Sequence, residues 1–191
     1  FSIMPDVGAP EFDEEKRASW FGHKGEEAKA YYYKVYLAEH DVVTEFSPTD
    51  RAVIFRFTFP ESKDSYVVID AFDKGSYVKV DAANNRIIGY STRNVGGVTN
   101  NFKNYFVVEF DKPFEYVSTF VNGELKKGQT EQQDNHVGAV IGFATKKGEQ
   151  VNARVASSFI SHEQAVLNLR ELSDDTLEEV IGIRPSTCSL K

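Results

Sequence analysis

Cysteine is nearly missing from this chain, with one residue, Cys188, among 191. A single thiol excludes an internal disulfide framework, and with no histidine near it in sequence it is not read as a nucleophile. No apolar run approaches the ~20 residues that a membrane-spanning helix needs. Basic clusters are lacking as well. The formal net charge is −7, from 29 acids against 22 Lys and Arg, so nucleic acid and anionic membrane are poor partners. The chain carries no phosphate loop, no Gly-rich dinucleotide turn, no paired histidines on a helix and no EF-hand loop. Ser157 and Ser158 lack the turn that exposes a serine nucleophile. There is no internal repeat, no low-complexity tract and no leader peptide. Phe1 is not a native start, which implies a segment upstream of it.

What is present is an ordinary globular composition, 41% hydrophobic and 27% charged, at a length suited to one well-cored domain. Tyr31–Leu37 and Thr44–Pro60 are aromatic and β-branched runs joined by the polar link Ala38–Asp41. Within the second run Val53, Phe55, Phe57 and Phe59 recur at every other position, the period of a strand with one buried face. Pro60 stops it. Tyr66–Phe72 is nearly continuous in apolar residues and reads as an interior strand. Asn84-Asn85 and Asn122-Gly123 suit tight hairpins, because Asn and Gly tolerate positive φ. Further strands are expected at Tyr105–Phe110, Phe114–Val121, His136–Phe143 and Val151–Ile160, with Thr92–Asn101 as a loop and Gly128–Asn135 as a polar stretch. Regularly spaced strands divided by turn residues predict an antiparallel β-sandwich.

The period changes at Ser161, which with Gln164 forms a capping-box pattern. Ala165, Leu169 and Leu172 follow at helical spacing. Ser173–Thr176 reads as a second cap, Leu177, Val180 and Ile181 as an apolar helix face, and Gly182 as its stop. The expected organisation is therefore a sandwich over 1–160, a helical linker segment over 161–182 and a tail over 183–191.

Candidate chemistry is sparse. Trp20 is expected to be a packing anchor or an edge aromatic. His40, His136 and His162 read as ordinary surface histidines, whereas His23 stands out because Glu26 and Glu27 follow it. Glu45 and Asp70 lie in the most apolar surroundings, where carboxylates are mostly structural and paired with an arginine such as Arg51 or Arg56.

Several short motifs in order carry a resemblance. His23-Lys-Gly-Glu-Glu-Ala28, Tyr32–Leu37, Glu45–Arg51, Arg56–Pro60, Asn104–Phe114 and Val155–Ser161 together resemble the N-terminal domain of glycoside hydrolase family 92. That family comprises calcium-dependent exo-acting α-mannosidases. The resemblance implies a supersandwich of the galactose-mutarotase-like kind, a mannose-containing glycan as substrate and a secreted or periplasmic location. It also implies a partner, a helical catalytic domain of the same polypeptide that holds the acid, the base and most calcium ligands. No catalytic residue and no metal ligand carries over to this chain. The motif matches that do are His23, Glu26, Glu45, Arg51 and Arg56, expected at the substrate or at the domain interface. Phe55 stands where the family pattern has a histidine. That departure keeps open a stand-alone, non-catalytic carbohydrate-binding or interaction module.

Overall fold

A computed structural model describes residues 1–183. The chain begins with strand β1 (Ser2–Val7) and a short helix α1 (Glu14–Arg17), followed by β2 (Glu26–Lys29), β3 (Tyr32–Leu37), β4 (Val42–Pro48) and β5 (Ala52–Phe59). Next come β6 (Ser62–Asp70), β7 (Ser76–Asp81), β8 (Arg86–Ser91), β9 (Asn104–Phe110) and β10 (Tyr116–Val121). The strands end with β11 (Glu124–Lys127), β12 (Glu131–Asp134), β13 (Val137–Thr145) and β14 (Glu149–Ser158). Helices α2 (His162–Leu169) and α3 (Leu177–Ile183) close the described chain. Except for Ile183, which ends α3, the expected tail lies outside the described residues, and Cys188 with it.

Two antiparallel sheets form the sandwich. The smaller runs β1-β6-β13-β10-β11 and the larger β12-β7-β8-β9-β14-β5-β4-β3-β2. Between them Phe57, Phe59, Val67, Ile69, Val80, Phe106, Val108, Ile141 and Phe143 make the main core. The alternation in β5 is borne out on that face, although Phe57 and Phe59 are fully buried while Val53 and Phe55 are only partly so. The other face of β5 is not solvent. Ala52 and Ile54 pack under Ala165, Leu169, Leu172, Leu177 and Val180 of the helical segment. A strand covered on both sides still shows its period when one cover is small, and β5 is such a strand.

Thr44–Pro60 is two strands rather than one run. Thr49 accepts the turn, its N–H donating to the Ala52 carbonyl at 2.7 Å, and β4 and β5 pair across it. The polar stretch at 128–135 hides an edge strand, β12, which pairs with β7. Its glutamines and acids face solvent on at least one side, so no apolar period marks it. Both hairpins form as expected, with φ +49° at Asn85, +50° at Asn122 and +85° at Gly123.

The smaller sheet is also covered outside. Tyr66, Val68, Phe120 and Val140 pack beneath Phe12 and Tyr116, and the Phe12 and Phe120 rings stack at 4.5 Å. This is why β6 and β13 read as continuous apolar runs. Gly138 and Gly142 in β13 leave the space that Phe120 and Tyr116 fill. Ser161 caps α2 by accepting from the Gln164 N–H at 3.2 Å. The reciprocal half of that box does not form, since the Gln164 side chain runs along the helix with its Nε2 donating to Asn168 Oδ1 at 2.9 Å. A complete box stands at α3, where Glu179 takes both the N–H and the hydroxyl of Thr176 and returns its own N–H to that hydroxyl. Gly182 lies inside α3 rather than stopping it.

Candidate functional site

The five sequence-derived residues fall in three places. On the outer face of the larger sheet, Arg56 (β5) reaches α3. Both Nη atoms donate to the two carboxylate oxygens of Glu178, the Nη2–Oε2 distance being 2.8 Å, while Nε donates to Asn152 at 3.2 Å. The guanidinium holds Glu178 down to about 2. Glu45 (β4) faces Arg56 across the ladder, and Tyr32 donates its hydroxyl to Glu45 at 2.6 Å. Burial first, and the Glu45 carboxylate second, push the Tyr32 hydroxyl up.

Arg51 sits apart, in the turn before β5. Its backbone N–H and Thr49 Oγ1 each donate to Glu171 Oε2 at 2.9 Å, and its Nε donates to Oε1. Burial raises the Glu171 carboxyl, but these donors outweigh it and leave it low. The expectation of a structural carboxylate paired with an arginine holds for Asp70, although its partner is Arg17 rather than Arg51 or Arg56, whereas Glu45 forms no direct ion pair with either arginine and takes the Tyr32 hydroxyl instead. Each arginine fastens a carboxylate of the helical segment, Arg56 through a bidentate guanidinium fork on Glu178 and Arg51 through its Nε and backbone N–H on Glu171.

His23 and Glu26 do meet, at the free edge of the larger sheet. His23 Nδ1 lies 2.8 Å from Glu26 Oε2, and Tyr33 donates to Oε1 at 2.7 Å. These bonds, His23 first and Tyr33 second, lower the Glu26 carboxyl. The His23 side chain is 92% exposed. Trp20, three positions earlier in the chain, is 70% exposed and Phe21 44%, so Trp20 is not a packing anchor. From Tyr33 a row of rings, Phe46, Phe55 and Phe57, crosses the inner face at centroid spacings of 5.2, 5.3 and 5.8 Å.

A fourth place holds none of the five, and its cluster was not assembled from the sequence. Asp70, at the end of β6, is fully buried and accepts from Arg17 Nη2 at 2.9 Å, from the Phe72 N–H at 2.8 Å and from His136 Nε2 at 2.7 Å. Arg17 offers its carbonyl to His40 Nε2 at 3.1 Å, and His40 Nδ1 lies 2.6 Å from Asp6. Two histidines read as surface residues are thus parts of a buried charge network, and His23, the one singled out, is the most solvent-exposed. One signal was available. Asp70 is the lone charge closing the run Tyr66–Ala71, and His136 opens the other continuous run, so the register of β6 and β13 brings them together.

The fold is a two-sheet antiparallel sandwich with a helical segment fastened to its larger sheet by Arg51–Glu171 and Arg56–Glu178. The profile of the glycosyl hydrolase family 92 N-terminal domain matches residues 1–158, and the chain belongs to that family. Among solved structures, the family GH92 inverting mannosidase BT2199 from Bacteroides thetaiotaomicron VPI-5482 is 34% identical. It aligns over 96% of this chain with a TM-score of 0.90. The family GH92 α-mannosidase BT3965 from Bacteroides thetaiotaomicron, 24% identical over 95% of this chain with a TM-score of 0.83, shares the fold. So does ccman5, a GH92 family glycosyl hydrolase, at 20% identity over 96% of this chain and a TM-score of 0.82. The chain spans about a quarter of each of those proteins, 25% of BT2199, 27% of BT3965 and 27% of ccman5. No curated protein matches.

Among the described residues, no three or more His, Cys, Asp or Glu side chains are placed to hold a metal ion. The described residues therefore offer no carboxylate set that fits a calcium ion. No helix among them is long and apolar enough to cross a membrane.

Proposed function

We propose that this domain forms one wall of the active site of an exo-acting α-mannosidase. A helical domain of the same polypeptide carries the acid and the base. The observation that supports this most directly is the 34% identity to an inverting mannosidase over 96% of the chain, of which the chain spans only 25%. Inverting hydrolysis needs two carboxylates about 6.5–9.5 Å apart around a water. No such pair is assigned here. The domain's part is to shape specificity contacts and to seat its partner, with residues 1–160 as the sandwich and 161–182 as the linker. Arg51–Glu171 and Arg56–Glu178 fit the second role, because they fix the linker helices on the larger sheet before the chain continues. Calcium belongs to the partner domain in this reading, and the whole enzyme acts on mannose-containing glycans in a secreted or periplasmic setting. The test is a longer protein that includes the helical domain, assayed on an aryl α-mannoside with and without a calcium chelator. Release of mannose with inverted anomeric configuration, followed by NMR, is the expected result. No α-mannoside turnover in the presence of calcium would overturn the reading.

A second reading, a free-standing carbohydrate-binding or interaction module, is favoured by one specific feature. Trp20 and Phe21 are exposed in the segment leading into the His23–Glu26–Tyr33 cluster, the Phe21 ring lying edge-on to His23 at 6.1 Å, and exposed rings near a carboxylate suit a sugar's apolar and hydroxyl faces. Titration with mannosides separates the two. A module binds alone at that edge, and an active-site wall without its partner does not.

A further inference from the structure

His136 lines an open cleft of about 650 Å³ together with Glu11, Asp13, Glu14, Asp73, Arg93 and Asn122. Its ring is fixed from behind. The two other partners of Asp70, Arg17 and the Phe72 amide, are donors to an ionised carboxylate, which has only acceptors to offer, so His136 Nε2 at 2.7 Å carries a proton and gives it to the carboxylate. In the neutral ring this leaves the lone pair on Nδ1. Among the described residues Nδ1 has no hydrogen-bond partner, and the ring, 22% exposed, is packed edge-on against Phe120. A fully buried carboxylate that selects one tautomer of a cleft-lining histidine is the usual way to orient an imidazole for an outside partner.

The cleft walls are oriented as well. Arg93 lies over the Phe72 ring at 4.6 Å, donates to Glu14 at 2.6 Å and approaches Asp73 at 3.3 Å. Phe72, Lys74 and Asn122, all at this end of the sandwich, hold φ of +64°, +73° and +50°. For a phenylalanine that is a costly conformation. The carboxylates are already used: Asp13 caps α1, Glu11 takes the Phe12 and Asp13 amides, and Glu14 holds Arg93. Their remaining lone pairs accept from donors. Five acids against one arginine disfavour an anion, and no cation site is formed there.

We infer that this cleft is a binding site for a neutral polyhydroxyl ring, one sugar residue, in which His136 Nδ1 accepts from a hydroxyl and Arg93 donates to a ring or hydroxyl oxygen. Asp70 and Arg17 are positioning residues that fix the tautomer. The choice of a sugar rests on the glycan-directed reading above, whereas the site itself needs only this chain.

The experiment is long-range proton–nitrogen NMR of the 191-residue chain with labelled histidine, titrated with methyl α-D-mannopyranoside to tens of millimolar. Before sugar is added, His136 should show a protonated Nε2 and a bare Nδ1. On titration the Nδ1 resonance should move and saturate. Removing one such hydrogen bond costs about tenfold in affinity, so His136→Ala and Arg93→Ala, which delete the two groups assigned to the sugar, should each weaken binding by roughly that factor. A His136 signal that stays still throughout, or saturable binding that neither variant weakens, overturns the site. Perturbation confined to His23 also overturns it. Because the readout is binding by this chain, it is independent of whether a longer protein hydrolyses α-mannosides.

Discussion

Arg56 and Glu178 lie 122 residues apart in sequence and meet side by side, two nitrogens on two oxygens, on the outer face of the larger sheet. The pair joins a strand in the middle of the sandwich to the last described helix. Glu178 has a folded-state pKa of about 2, below the 4.5 of a free glutamate, mainly because Arg56 donates to it. A depressed carboxylate contributes stability above its unfolded value and loses it as pH falls through the folded one. The contribution is therefore present above about pH 4.5 and lost between there and about pH 2. The Glu178 side chain is 65% exposed, so solvent screens the pair, and Glu178→Gln should cost less than about 1 kcal/mol at neutral pH. Urea melts across the acid range should show a shallower acid limb in the variant. An identical limb would mean that Arg56 does not discriminate the charged form.

His40 has acceptors on both ring nitrogens, the Asp6 carboxylate and the Arg17 carbonyl, which makes it an imidazolium with both protons used. The Asp6 bond raises its pKa, against burial, with the Arg17 carbonyl and the nearby Glu39 charge adding to it. A raised folded value gives the opposite sign to Glu178. The stabilisation is complete below the unfolded value of 6.5 and is lost as pH rises through the folded one. The melting temperature should accordingly fall from mildly acidic to mildly alkaline pH. His40→Gln should remove that slope and, by leaving Asp6 buried without its partner, cost roughly 3–5 kcal/mol. Asp6→Asn offers the check from the other side, since it too should flatten the slope. A slope unchanged in both variants would place the titrating group elsewhere.

How much of this was visible in the residues depends on distance along the chain. The strands were legible where a face alternates, as in Val53–Phe59, or where turn chemistry brackets a run, as at Asn84-Asn85 and Asn122-Gly123. The edge strand Glu131–Asp134 was not, because a strand paired on one side and wet on the other needs no apolar period. The ion pairs were illegible for a different reason. Arg17 reaches Asp70 across 53 positions and Arg51 reaches Glu171 across 120, and with 29 acids the sequence offers too many partners to choose among. Only register decides, and register follows from the sheet order. Local spacing could place only near neighbours, such as His23 with Glu26 and Ser161 with Gln164, each three positions apart.

Gly142 is required by Tyr116. A Cβ added at Gly142 would stand 2.0 Å from Tyr116 Cε1, and one at Gly138 would stand 2.2 Å from Phe120 Cε1 and 2.5 Å from the Ile69 carbonyl. Overpacking of this kind costs about 1–3 kcal/mol. Gly142→Ala meets only a half-buried ring, so Tyr116→Ala should recover much of the loss in the double variant. Gly138→Ala meets backbone as well and should not be recovered by trimming Phe120. Denaturation midpoints of the four single and two double variants check both statements, and additive losses at Gly142 and Tyr116 would show that the ring is not what the glycine accommodates.

Trp20 gives the sharpest division between the two functional readings. Its ring is 70% exposed, so Trp20→Ala removes little buried area and should change stability by less than about 0.5 kcal/mol. If the sheet edge at His23 and Glu26 takes up sugar in the free chain, mannoside should quench the lone tryptophan's fluorescence in the unsubstituted chain, and Trp20→Ala should weaken binding measured by calorimetry. Glu26→Gln should weaken it too, because Glu26 is held ionised by His23 and Tyr33 and would lose acceptor strength. As one wall of a two-domain site, the edge should leave the free chain's binding unchanged under both substitutions. Their effect should appear only in the longer enzyme, as a raised KM with kcat preserved if the contact is made equally in ground and transition states. Binding lost in the free chain, with hydrolysis by the longer enzyme untouched, would assign this edge to a module rather than to the active-site wall.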